Sequence, residues 1–300
     1  MRNIDLDSLQ IFKAVVEQGG VSRAADRLNR VQSNVTTRVK QLEQRLGTKL
    51  FERHGRRLVP TPQGRLLLTY AERLLQLSGE AEQALRNGQP CGTLRLGTLE
   101  STAASRLPPI LARYHAEHPA VQIDLVTGTS GALVSKVLAY EIEAAFVAEP
   151  FTPSGLTCRH AFTEELVLIT PRTLGPIRNA RELARRTVIA FTTGCSYRRI
   201  LEEWLGRSGI VPSQVMEFGS YHAIVACVAA GTGIAIVPRA VLRVVQAGGE
   251  LAVSPLPLPF RRARTMLVHR EGHASLPLDG LMRTLPAVTA PPRARAPTAH

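Results

Sequence analysis

Gln32, Ser33, Thr36, Thr37 and Lys40 fall within nine residues, and together they carry the chemistry of base and phosphate recognition. A glutamine can bond an adenine edge bidentately, serine and threonine can bond bases or phosphates, and a cation holds the backbone. The charge around them is one-sided. From Arg23 to Arg65 the cations Arg23, Arg27, Arg30, Arg38, Lys40, Arg45, Lys49, Arg53, Arg56, Arg57 and Arg65 face only Asp26, Glu43 and Glu52, a net of +8 in 43 residues. Such a patch is an electrostatic footprint for a polyanion. The chain as a whole carries +13 over 300 residues, but the excess beyond residue 90 is spread over more than twice the length.

A second group of residues points to small-molecule binding. Leu99-Glu100-Ser101-Thr102, Gly128-Thr129-Ser130, Thr193-Gly194-Cys195-Ser196 and Gly219-Ser220-Tyr221-His222 each stand where an apolar, strand-like run gives way to a helical one. Hydroxyls and free amides at helix starts favour anions. Glu100 opposes that, unless it pairs with Arg198 or reads an amine, so an amino acid suits both charges. Cys195, near Arg198 and Arg199, raises the option of a reactive thiol. Cys91, Cys158, Cys195 and Cys227 lie far apart without CxxC spacing, so no zinc site or disulfide framework is expected. No nucleophile elbow, HExxH or Walker loop is present, which speaks against an enzyme.

The elements that must hold the first group follow from periodicity and punctuation. Asp5 and Asp7 precede an apolar face at Leu9, Phe12, Val15 and Val16, and Gly19-Gly20 ends it. Ser22 is expected to cap a second helix with Ala24, Ala25 and Leu28 inward, and Asn29-Arg30 breaks it. A third helix runs from about Gln32 through Leu46, with Val35, Val39, Leu42 and Leu46 inward and Gly47 closing it. This is a helix-turn-helix arrangement. Arg53–Arg57 then reads as a basic loop before Leu58-Val59, which suits the wing of a winged helix. Thr61-Pro62 starts a long amphipathic helix with Leu66, Leu67, Tyr70, Ala71, Leu74, Leu77, Ala81 and Leu85 at helical spacing. With no short returning partner, it predicts a dimerisation helix carrying Leu66, Leu67, Tyr70, Leu74, Leu77 and Leu85.

Beyond it, Cys91–Gly97, Val121–Val126, Ala144–Val147, Leu166–Ile169, Val188–Phe191, Ile234–Val237 and Thr265–Val268 read as strands. Helices are expected near Ala103–His118, Gly131–Ala139, Tyr197–Gly209, His222–Ala230 and Arg239–Ala247. Alternation of this kind predicts an α/β fold with mostly parallel sheets and ligands beyond the carboxyl ends of the strands. Ala223–Val237 is uncharged but too short to span a bilayer, and Gly231 and Gly233 divide it into a helical and a strand half. The acidic N-terminus lacks a signal-peptide pattern, so a cytoplasmic, nucleoid-associated protein is expected. Pro286–His300 reads as a Pro/Ala-rich tail.

Ala24-Ala25-x-x-Leu28, QSNVTTRVKQLEQRLGTKLFER from Gln32 and PTPQG at Pro60–Gly64 resemble the DNA-binding domain of LysR-type transcriptional regulators, and the likeness extends over essentially the whole chain. It implies a winged helix-turn-helix in residues 1–61, a linker helix in 62–90 forming a dimer coiled coil, and a periplasmic-binding-protein-like (type 2) effector domain in 91–300. The expected subdomains are I, about 91–164 and 268–290, and II, about 165–267, with 287–300 as tail. Val31 stands where the family usually has serine, which leaves Gln32 or Ser33 to cap the recognition helix. The implied DNA contacts are Arg23, Arg30, Gln32, Ser33, Thr36, Thr37, Arg38, Lys40, Arg53, Arg56 and Arg57. The implied effector contacts are Leu99, Glu100, Ser101, Thr102, Thr129, Ser130, Cys195, Ser196, Tyr221 and His222. Expected partners are double-stranded promoter DNA, a small-molecule effector (an amino acid or small carboxylate), a second copy in a dimer or tetramer, and RNA polymerase. No metal or cofactor is expected. The alternatives are a cytoplasmic small-molecule-binding or enzymatic α/β protein with an accessory basic domain, and a nonspecific nucleoid-type DNA binder.

Overall fold

The computed structural model describes residues 4–54, 57–87, 89–152, 154–177, 179–246 and 249–286. The chain divides into two compact units, Met1–Gln89 and Pro90–His300.

In the first unit, α1 (Leu6–Gln18), α2 (Val21–Arg27) and α3 (Gln32–Leu46) precede a hairpin of β1 (Phe51–His54) and β2 (Arg57–Pro60), then α4 (Pro62–Asn87). Asp5 caps α1, accepting from the Ser8 amide at 2.8 Å and its hydroxyl at 2.9 Å. Gly19 and Gly47 end α1 and α3 in the left-handed region, at φ +62° and +69°. Two expected caps are corrected. Ser22 lies inside α2, whose N-cap is Gly20, and α3 starts after Val31 with no side-chain cap from Gln32 or Ser33. The basic loop is also shorter than expected: Arg53 and Arg57 are strand residues of a register running from Phe51↔Pro60 to His54↔Arg57. Leu9, Phe12, Val15, Ala24, Val35, Leu42, Leu50 and Ala71 form the core of this unit.

The second unit contains β3 (Gly92–Thr98), α5 (Glu100–Ser105), α6 (Leu107–Glu117), β4 (Val121–Thr127), α7 (Ser130–Leu138), β5 (Ala144–Ala148) and β6 (Leu156–Pro171). These are followed by β7 (Thr187–Ala190), α8 (Ser196–Arg207), β8 (Gln214–Glu217), α9 (Tyr221–Ala229), β9 (Ala235–Pro238) and α10 (Arg239–Val245). The last elements are β10 (Leu251–Pro255), α11 (Leu258–Arg261), β11 (Arg262–Arg270) and α12 (Leu276–Thr284). One lobe is built on the order β6-β11-β5-β3-β4. The other joins β10 and β9 to the far half of β6, while β7 and β8 form a parallel pair bridged to Ile234 beside β9. The sheet is mixed, which corrects the expectation of mostly parallel sheets. β3 pairs in parallel with β4 and β5, but β11 with β5 and β6, and β6 with β9 and β10, run antiparallel.

β6 passes through both lobes, pairing with β11 over Leu156–Glu165 and with β9 and β10 over Leu166–Pro171. Only Leu166–Ile169 reads as a strand in the sequence, because the first half is polar. The helix expected over Ala103–His118 is two helices, because Pro108 and Pro109 supply no amide to a preceding turn and restart the chain at α6. Ala223–Val237 divides as expected into most of α9, a glycine turn and β9, with β9 buried. Among the described residues no helix is long and apolar enough to cross a membrane. The tail beyond Pro286 lies outside the described residues.

Candidate functional site

On α3, Gln32, Ser33, Thr37 and Lys40 are exposed and Thr36 half-buried, opposite the buried Val35, Val39 and Leu42. The Thr36 hydroxyl donates back to the Gln32 carbonyl at 2.9 Å, so it approaches a partner as an acceptor. The turn before α3 is made by Asn29 at φ +51° and an Arg30 amide bonded to the Ala25 carbonyl at 2.9 Å. Glu43, buried on the inner side of α3, accepts from the amides of Leu50 at 2.8 Å and Phe51 at 3.3 Å. That fixes the start of the wing against the recognition helix.

The basic residues are not equivalent. Arg30 is held by Asp7 through both nitrogens at 3.0 and 2.5 Å, and Arg38 reaches the same carboxylate at 3.9 Å. The Asp7 carboxylate beside it pushes the Arg30 guanidinium pKa further up. Arg23, Lys40 and Arg53 make no ion pair among the described residues. Arg56 lies outside the described residues, and Arg57 is placed by its backbone in β2.

In the second unit, the polar junctions converge on a small cavity between the lobes. One lobe contributes Leu99, Glu100 and Ser101 at the start of α5, Gly128, Thr129 and Ser130 before and on α7, and Ala148 at the end of β5. The other contributes Phe191, Cys195, Ser196 and Tyr197 around the start of α8, and Tyr221 on α9. Ala148, Phe191 and Tyr197 are not in the sequence-derived set, and Gly128 enters it only as part of the junction before α7. Phe191 and Tyr197 read there only as the last strand residue and the first helix residue, and their approach to the other lobe is nonlocal. Thr102 is buried without lining the cavity, and His222 is exposed outside it. A wider outer cleft shares Ser130, Cys195 and Ser196 and adds Arg198 and Arg199.

The two serines turn to each other instead of to the cavity. Ser130 Oγ accepts from the Ala148 amide at 3.1 Å, Ser196 Oγ donates to the Ala148 carbonyl at 2.7 Å, and the two oxygens are 3.0 Å apart. Their hydroxyls tie the lobes together. The unsatisfied group lies elsewhere: Glu100 Oε2 is buried without a hydrogen-bond partner among the described residues, whereas the Tyr197 hydroxyl has the hydroxyls of Ser101 and Thr265 for neighbours. Glu100 Oε1 accepts from the Tyr221 amide at 3.4 Å. Burial raises the Glu100 pKa, against the Tyr221 amide and the charge of His222. Arg198 does not pair with Glu100; it is bonded to Glu202 at 2.7 Å, to Glu217 and to the Phe191 carbonyl at 3.3 Å. Burial pushes the Cys195 thiol pKa up, against the amides of Arg198 and Tyr197. No cluster of metal-ligating side chains occurs among the described residues.

A winged helix-turn-helix in one unit and a two-lobed α/β unit with a cavity between its lobes define a transcriptional regulator. The family described as bacterial regulatory helix-turn-helix protein, lysR family, matches residues 6–65, and the LysR substrate binding domain matches residues 87–289. The chain belongs to the LysR family of transcriptional regulators. It is 39% identical over 271 residues to the uncharacterized HTH-type transcriptional regulator YusT of Bacillus subtilis, covering 88% of each chain. It is 36% identical over 269 residues to the regulator GltR of Bacillus subtilis, covering 89% of this chain and 91% of that one. In fold it is similar to full-length CbnR complexed with its target DNA, at TM-score 0.66 and 23% identity over 94% of this chain and 99% of the other.

Proposed function

We propose that this regulator reads promoter DNA with Gln32, Ser33, Thr36 and Thr37 in the major groove while Arg23, Arg38, Lys40 and Arg53, with Arg56 and Arg57 of the wing, hold phosphates. Arg30 serves the same surface by holding Asp7. Residues 1–61 act as the DNA-binding head, 62–90 as the linker helix, and 91–286 as the sensor. The linker joins two copies through Leu66, Tyr70, Leu74, Leu77 and Leu85, and two dimers form the working tetramer in the cytoplasm, where RNA polymerase is the further partner. A small-molecule effector occupies the interlobe cavity, and the resulting change in lobe orientation alters the spacing of the heads. A coupling of about 1–3 kcal/mol changes occupancy roughly 5- to 150-fold.

The observation that carries this reading is the interlobe cavity, in which the buried Glu100 Oε2 is left without a partner among the described residues. Buried polar atoms in native proteins are nearly always satisfied, so a site holding an unpaired one is built for an occupant. The test is binding of the full chain to its own upstream DNA at several salt concentrations. Gln32→Ala is expected to relax discrimination at one or two base pairs, and Arg53→Ala to weaken binding to all sequences alike. If neither variant changes DNA binding, the assignment of α3 and the wing fails.

A further inference from the structure

We propose that the effector is a small organic ammonium ion, held with its nitrogen on Glu100 beside the rings of Phe191, Tyr197 and Tyr221. This rests on the reading of the interlobe cavity as the effector site and adds the chemical class of its occupant.

Glu100 is the charged group of the cavity wall. None of the other residues lining it is a lysine, arginine or histidine, and the cation nearest in sequence to the opposite wall, Arg198, is spent on Glu202, Glu217 and the Phe191 carbonyl. Tyr221 supplies one amide to Oε1, and Oε2 is buried with nothing to bond. A buried carboxylate with an open acceptor is costly unless a donor or cation meets it. A carboxylate ligand would meet that charge with no cation in the cavity wall to offset it. Nor do the serine hydroxyls offer an anion cradle, since Ser130 and Ser196 are engaged with Ala148 and each other.

The rest of the wall suits an ammonium ion. The rings of Phe191 and Tyr221 pack on each other with centroids 4.5 Å apart at 51°, and Tyr197 brings a third ring to the same wall. Aromatic faces attract a desolvated cation through their quadrupoles, and a carboxylate supplies the formal countercharge and a strong hydrogen bond. The free space between these walls is small, so the ion is a small one. Arg198 and Arg199 in the outer cleft stay outside the aromatic wall.

The experiment is calorimetric titration of the full-length protein with butylammonium and benzylammonium chloride, against butyrate, benzoate and benzyl alcohol. Binding of the ammonium ions in preference to the matched anions and alcohol is expected. Glu100→Gln, with a melting temperature no lower than that of the parent protein, is expected to weaken ammonium binding about 10- to 150-fold, the range of a hydrogen bond to a charged group. Phe191→Ala is expected to weaken it as well. The proposal is overturned if neither ammonium ion binds at millimolar concentration, if the anions or alcohol bind as well, or if Glu100→Gln leaves the affinity unchanged. The underlying site is judged separately. If anions or alcohol bind and Phe191→Ala alters their affinity, the cavity stands and the ammonium assignment falls. If ammonium ions bind and neither variant changes their affinity, the cavity itself is not the site.

Discussion

At the scale of single residues, the same chemistry divides according to what each side chain is already bonded to. Lys40 and Arg30 are both cations of the DNA-binding unit, but Arg30 is tied to Asp7 and Lys40 is exposed without an ion pair among the described residues. A phosphate contact by Lys40 releases counterions, so Lys40→Ala is expected to weaken binding to every duplex and reduce the slope of log affinity against log salt by about 1. Anisotropy titrations from low to moderate salt would show it, and an unchanged slope removes Lys40 from the interface. Glu100 offers a test without any ligand. Burial raises its pKa in the folded protein, so the folded state is penalised wherever the carboxyl is ionised in the unfolded chain, and the penalty vanishes once both states are protonated. His222 and Tyr221 are the titratable neighbours facing it. Glu100→Gln is therefore expected to raise the ligand-free melting temperature at neutral pH, with the gain shrinking as pH falls below the ordinary carboxylate range. The types of these residues could be read from the sequence, but their bonding states could not. Serines at 130 and 196 read as ligand hydroxyls until their approach across the cleft shows them satisfied.

Local signals served well at the scale of elements, and failed where an element's reason is a neighbour far away in the chain. Asp5, Gly19 and Gly47 mark helix ends in sequence and in structure because capping is decided within a few residues. The first half of β6 is polar and gives no strand signal. Its order comes from β11, about 100 residues later. α4 shows both cases. Its apolar positions were legible as one seam, yet they form two: Leu67, Leu68, Ala71 and Leu75 pack on the core of their own unit, while Leu66, Tyr70, Leu74, Leu77 and Leu85 are exposed. The start of α4 is fixed by Thr61, which donates to the Lys49 carbonyl at 2.8 Å and accepts from the Gly64 amide at 3.0 Å. Gly64 has no room for a side chain, since a Cβ there would lie 2.2 Å from the Leu50 carbonyl oxygen. Backbone must move to admit it, so Gly64→Ala is expected to destabilise the DNA-binding unit by about 1–3 kcal/mol, the ordinary scale of overpacking. Denaturant unfolding of the variant against the parent protein measures this; an unchanged midpoint would mean that the hairpin and α4 are less tightly apposed.

For the whole molecule, the proposed function depends on joining copies, and the exposed half of α4 is where that can be tested. Leu66, Tyr70, Leu74, Leu77 and Leu85 are spaced by four, four, three and eight residues, which keeps them on one side of a 26-residue helix. Their exposure is 60%, 52%, 45%, 59% and 89%. A row of large apolar side chains left in water on one side of a helix, with the other side already packed, calls for a partner surface. A second copy of the same helix supplies one by symmetry, each copy burying the same patch. Leu74→Glu with Leu77→Glu places two charges at the middle of that row, where they would be desolvated in the dimer but not in the monomer. Neither side chain belongs to the core of its own unit, so the fold of the unit is expected to survive. Sedimentation is then expected to show the assembly shifted toward monomer at micromolar concentration, with an unchanged circular dichroism spectrum. Affinity for a two-half-site operator should fall by at least about 100-fold, since the second head loses the effective concentration that joining provides. Affinity for a single half-site should not change. Retention of the dimer in the double variant would move the interface off α4, and equal loss on single and double half-sites would mean that the DNA-binding head itself was damaged.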